Sequence, residues 1–234
     1  MFIPFGLLPM AKHKTPPKPQ THLVVATDNV HTGNVHTDEI GLERLIFFSD
    51  AVFAIAITLL ALEIRLPELP ENVSNAAMLA ALGSIWPKYL SFVISFLVIG
   101  SYWIVHHRIF RNVRHYDGRL MLLNLLLLMA VSFVPFPTAL LGEHANQVST
   151  ILYAFTMAWV GCLTTAIFAY ASAGGRLLEE PLAPSEFRQR LLRALIAPLV
   201  FLFSVGVAFW NPNWAQYSWL LIAILSLAGR LQRD

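Results

Sequence analysis

Arg44, Ser49, Asp50 and Thr58 interrupt a run of Phe, Val, Ile, Leu and Ala that otherwise reads as a greasy helix. A carboxylate in such a setting is costly, marks function by default and needs buried partners. Three side chains further along offer themselves: the indole of Trp103, the imidazole of His107 and the amide of Asn124. His107 has a second reading as a proton sensor, because an unperturbed imidazole titrates near pH ~6.5. The Thr58 hydroxyl is a further polar group of the run, able both to donate and to accept a hydrogen bond. Other candidates carry no chemistry. His13, His22, His31 and His36 are scattered through a polar stretch and read as tail residues, not as metal ligands. The single cysteine, Cys162, makes neither an internal disulfide nor a cysteine-based zinc cage.

The elements that must hold these residues follow from composition. Of the 234 residues 56% are hydrophobic and 13% charged, with a mean hydropathy of +0.61, which implies an all-α membrane protein that crosses the bilayer several times. The net charge of +2 is small and the arginines are dispersed among loops, so no nucleic-acid partner is expected. The first ten residues lack the basic start and small-residue cleavage site of a signal peptide. Residues 1–40, rich in Lys and Pro and then polar, read as a flexible cytoplasmic tail, with Met10 an alternative start. Residues 41–234 form the membrane domain.

Within it, the charges cut out segments of bilayer length: Leu45–Ile64, Tyr89–His107, Leu120–Gly142 and a fourth centred on Thr150–Ser172. The last uncharged stretch, Ala194–Gly229, is too long for one span, and Asn211-Pro212-Asn213 is a turn signal that divides it. Six transmembrane helices per chain result. Fourteen of the 16 Lys and Arg fall on one side, with only Arg65 and Lys88 on the other, so both termini are expected in the cytoplasm. Arg108, Arg111 and Arg114, with His106 beside them, read as a cytoplasmic surface that meets anionic membrane lipids. Pro135 reads as a kink in the third span.

On a helical projection of the first span, Leu59 and Leu62 fall within about 40 degrees of Ile55, Thr58 lies about 60 degrees to the side, and Asp50 points roughly 140 degrees away. Taken alone, this stripe faces lipid or a neighbouring helix.

Arg44, followed after three residues by Phe48-Ser49-Asp50, opens a string through Leu60 that resembles the first-helix signature of bacterial relatives of the endolysosomal potassium channel, the transmembrane protein 175 family. Trp103 with His107, then Asn124, then Phe133-Val134-Pro135-Phe136 resemble that family's second and third helices. The similarity covers residues 41–142. It implies a potassium channel: a homotetramer around a central pore lined by the first helix, in a cell membrane that is the inner membrane for a bacterial protein. It also places Ile55, Leu59 and Leu62 on the pore axis as hydrophobic rings, Ile55 the narrowest, with Thr58 as a hydroxyl ring. Arg44, Phe48, Ser49, Asp50, Trp103, His107 and Asn124 then form the motif network that braces the helix.

Only one copy of the motif occurs, so symmetry about the membrane normal has to come from association of chains. No Thr-Val-Gly-Tyr-Gly carbonyl filter is present, which leaves selectivity to the constriction. Glu63, Glu68 and Glu71, near the outer mouth, would favour cations, partly opposed by Arg65. No cofactor is expected beyond the permeant potassium ion. The rival class is a proton-coupled or small-solute secondary transporter, although the two halves of the chain share no motif. An enzyme is weaker still, because the helices hold no cluster of His, Asp and Glu at one depth.

Overall fold

The computed structural model describes residues 24–175 and 177–222. The chain divides into two units, Met1–Thr37 and Asp38–Asp234. In the first, the described backbone from Val24 onward is helical. The last proline before the first span is Pro19, and extending an existing helix costs little once it is nucleated. Residues 1–23, Arg176 and the end of the expected sixth span, with Arg230 and Arg233, lie outside the described residues.

Among its described residues the regular structure of the second unit is helical apart from one isolated bridge: α1 (Val24–Leu62, which begins in the first unit), α2 (Asn75–Ser84), α3 (Trp86–Phe110), α4 (Gly118–Phe133), α5 (Pro135–Glu143), α6 (Gln147–Ser172), α7 (Pro184–Ala208) and α8 (Pro212–Ser218). Among the described residues, five helical segments are long and apolar enough to cross a membrane: Ile40–Leu62, Trp86–Phe110, Gly118–Glu143, Gln147–Gly175 and Pro184–Ala208. They match the first five expected spans. The turn at Asn211 is also present, its side chain capping α8 by accepting from Asn213 and Trp214 N–H.

Each departure from a straight helix has a chemical cause. Pro135 lacks the N–H that the Val131 carbonyl would receive, and Val134 N–H takes that carbonyl instead at 3.1 Å, so α4 passes into α5 through a kink. Pro198, inside α7, strands the Ala194 carbonyl, and Thr165 Oγ1 of α6 shares its proton between Gly161 O of its own helix (2.8 Å) and that carbonyl (3.3 Å). In a bilayer, where water cannot satisfy a freed carbonyl, such a donor is what makes a mid-span proline tolerable.

α6 is the most enclosed span and packs on α3, α4, α5 and α7. Gly161 is the point of closest approach: a Cβ there would stand 2.9 Å from Tyr102 Oη and 3.0 Å from Pro198 Cδ. A small residue lets α3 and α7 meet α6 together. On the arginine-rich side, the loop after α3 is fastened to the loop after α6 by an antiparallel bridge between Val113 and Leu178. Asp117 caps α4 by accepting from Leu120 N–H, and its other oxygen accepts from Tyr170 Oη of α6 at 2.5 Å.

Candidate functional site: the first helix and its bracing

α1 buries Leu42, Leu45, Ser49, Phe53, Ala56 and Leu60. Their spacing of three or four residues forms one continuous seam. α3 presents a matching seam of Ser95, Ile99, Tyr102, His106, Ile109 and Phe110.

A chain of polar groups crosses these seams at one level. Ser49 Oγ donates to its own helix at Leu45 O (2.8 Å) and accepts from Asn124 Nδ2 of α4 (2.9 Å); Asn124 Oδ1 then meets His106 Nε2 at 2.8 Å. With the Asn124 amide directed to Ser49, its oxygen faces His106, so Nε2 donates and the tautomer is set. His106 Nδ1 is buried without a partner, and the ring lies against Phe53 and Phe110 at centroid distances of 5.5 and 4.4 Å. All three polar side chains are fully enclosed. In that setting each bond is worth keeping, because an unpaired group would face hydrocarbon.

Asp50, half-buried, belongs to a separate contact in which its Oδ1 accepts from Trp103 Nε1 at 2.8 Å. Of the three partners expected for Asp50, Trp103 is therefore the one that binds it. Asn124 serves Ser49 instead. His107 is exposed on the Trp103 side of α3, its ring 5.8 Å from the indole, and the histidine in the buried network is His106, which had been read as part of the basic surface. Helical spacing from Tyr102 and Ile99 was the available signal, since both lie on the face that His106 continues. Arg44 and Phe48 are exposed on the single subunit.

The four expected pore residues share the uncovered face of α1. Ile55 is 57% exposed, Leu59 38% and Leu62 67%, and Thr58 is exposed beside them. Ile57, by contrast, is half-buried against the core. Thr58 Oγ1 donates to Ile55 O at 2.9 Å. Its proton thus points into the helix and its lone pairs point outward, the polarity a cation requires. Beyond the end of α1, Lys88 Nζ reaches Glu143 Oε1 at 2.9 Å and the Arg65 carbonyl at 3.4 Å. Glu68 and Glu71 are exposed.

A helix pinned by buried hydrogen bonds on one side, with an apolar stripe left bare on another, defines a multi-pass membrane protein whose first span faces something other than its own bundle. The chain belongs to the TMEM175 family. The family profile described as endosomal/lysosomal potassium channel TMEM175 matches residues 44–135, a range that takes in every bracing residue above. A protein named as a potassium channel from Streptomyces collinus is 38% identical over 171 residues, covering 71% of this chain and 82% of that one. The crystal structure of a lysosomal potassium-selective channel TMEM175 homolog from Chamaesiphon minutus superposes with a TM-score of 0.69 at 32% identity, over 80% of this chain and 97% of the other. A Danio rerio protein named endosomal/lysosomal proton channel TMEM175 is 25% identical over 88% of this chain and 40% of its own length.

Proposed function

We propose that this protein is a potassium channel: a homotetramer of six-span subunits with both termini in the cytoplasm, its pore lined by α1 and closed at a hydrophobic constriction. The observation that carries this reading is the bare stripe of Ile55, Thr58, Leu59 and Leu62 on a helix whose opposite seam is buried. Four copies of a branched side chain at one level make a ring that dewets when narrow and passes a partly hydrated ion when slightly dilated. Thr58, its proton committed to Ile55 O, would add oxygens without adding donors. Glu68 and Glu71, with the carbonyl ends of four α1 helices, would make the outer mouth attractive to cations. The potassium-channel names of relatives at 38% and 32% identity support the same assignment.

Purified protein in a planar bilayer under opposed potassium and sodium gradients tests it. Discrete unitary currents reversing near the potassium equilibrium potential are expected. Flux without unitary steps would assign the chain to the rival class of carrier.

A further inference from the structure

α2 does not suit an aqueous loop. From Asn72 to Pro87 the connection between the first and second spans carries no charge, and residues 76–83 read Ala-Ala-Met-Leu-Ala-Ala-Leu-Gly. The helix is apolar on every side, which normally means that it is not surrounded by water. Yet the protein covers little of it. Ala81 is buried where α2 packs on α3 and Met78 is half-buried, whereas Ala76, Ala77, Ala80 and Leu82 are exposed and Leu79 is 69% exposed. The polar groups sit at its ends: Ser74 caps it by accepting from Ala77 N–H, and Ser84 closes it.

We propose that α2 lies flat in the lipid boundary of the membrane face opposite the arginine-rich loops, so that the connection from α1 to α3 is anchored in the bilayer plane. Two observations favour lipid as the occupant. First, the surface is continuous: α2 runs into Trp86, 65% exposed, and from there into the exposed Leu90, Val93, Ile94 and Leu97 of the membrane-crossing α3. Tryptophan and tyrosine collect at this depth, and Trp210, just after α7, and Trp214 and Tyr217 of α8 are exposed, on the face where five successive crossings would bring the chain back to the side of α2. Second, α2 offers only Leu79 and Leu82 as large exposed side chains, far less than the roughly 800 Å² per partner of a stable protein interface. Burial of a short apolar helix in the headgroup and upper acyl region needs no such area.

The test is independent of ion conduction. With Cys162, the only cysteine and an exposed one, replaced by serine, single cysteines enter at Leu79, at Ala77 on the other side of the helix, at Leu97 and at Glu68. Each is given a nitroxide label in phosphatidylcholine–phosphatidylglycerol vesicles. Collision rates with oxygen and with a water-soluble nickel chelate are then compared. The expected result is an oxygen-to-nickel ratio at Leu79 and Ala77 on the lipid side of the Glu68 value, approaching that of Leu97. Nickel access equal to Glu68 at either α2 site means that the helix stands in water and overturns the proposal. Low access to both agents with an immobilised spectrum means that α2 is covered by another protein surface, a second copy included, and overturns it equally.

Discussion

Trp103 Nε1 donates to Asp50 Oδ1 at 2.8 Å, joining α3 to the first helix through a half-buried carboxylate rather than a sealed ion pair. No cationic side chain among the described residues forms an ion pair with Asp50. Among the described residues, the indole N–H of Trp103 is what holds the acid.

That geometry separates loss of charge from loss of the bond. Asp50→Leu and Trp103→Phe each strand one partner and should cost about 1–3 kcal/mol of stability, read as the thermal midpoint in detergent and the yield of assembled protein, a tetramer in the proposed channel. Asp50→Asn keeps an oxygen facing the indole and should cost less, because a neutral acceptor holds roughly half the strength of a charged one. The reversal potential should stay put in all three. Normal tetramer yield with altered ion preference in Asp50→Asn would place the carboxylate in the conduction path instead.

The Ser49–Asn124–His106 chain predicts an order of damage. Asn124→Leu removes two bonds and leaves the His106 Nε2–H buried without an acceptor, costing about 1–3 kcal/mol. Ser49→Ala removes one interhelical bond, of the kind that averages about 0.6 kcal/mol between membrane helices, and leaves a single Asn124 N–H unpaired while Asn124 Oδ1 keeps His106; its other bond, to Leu45 O, lies within its own helix. Thermal unfolding of purified protein should therefore rank Asn124→Leu well below Ser49→Ala. The reverse order would mean that Ser49, not Asn124, is the hub.

How much of this was legible in the sequence depended on the range of the interaction involved. Span boundaries rest on local hydropathy, and the first four emerged within about five residues of their observed limits, whereas the fifth, expected from Ala194, begins at Pro184 because its first turns carry Glu186, Arg188, Arg190 and Arg193. The turn at Asn211 and the kink at Pro135 are equally local, fixed by the missing proline N–H. Choosing between His106 and His107 required knowing which face of α3 meets α1 and α4, and adjacent residues differ by about 100 degrees of helical rotation. The motif spacing selects His107, and only the seam through Ile99 and Tyr102 brings His106 into the buried network. α2, ten residues long, is too short for a span, so hydropathy at bilayer length does not reveal it. The outward lone pairs of Thr58 depend on a hydroxyl rotamer that no spacing rule encodes.

The environments of Ile55 and Ile57 predict opposite outcomes for the same change. Ile55→Asn alters an exposed stripe residue; in the proposed channel it should wet the ring, raise conductance and weaken discrimination between potassium and sodium. Ile57→Asn introduces an amide at a position packed against the core and should lower stability by about 1–3 kcal/mol, with currents from surviving channels unchanged. Single-channel recording and thermal unfolding on both variants supply the comparison. Equal behaviour would return the stripe to lipid or to another helix.

Thr58 gives the sharpest separation of gate from selectivity. Its hydroxyl proton is committed to Ile55 O at 2.9 Å, so in an α1-lined pore it contributes oxygen lone pairs alone, and four subunits would supply four such oxygens beside the Ile55 ring. Thr58→Ala removes those oxygens while leaving the branched rings of Ile55, Leu59 and Leu62 in place. Potassium preference over sodium should fall, by roughly tenfold for each ~1.4 kcal/mol of lost differential contact, while the closed state stays non-conducting. Thr58→Ser restores the hydroxyl, and with the same donation to the carbonyl three residues earlier it should recover most of the preference. Permeability ratios from reversal potentials decide it: if alanine and serine behave alike, the hydroxyl takes no part in selectivity, and the hydrophobic rings alone must account for it.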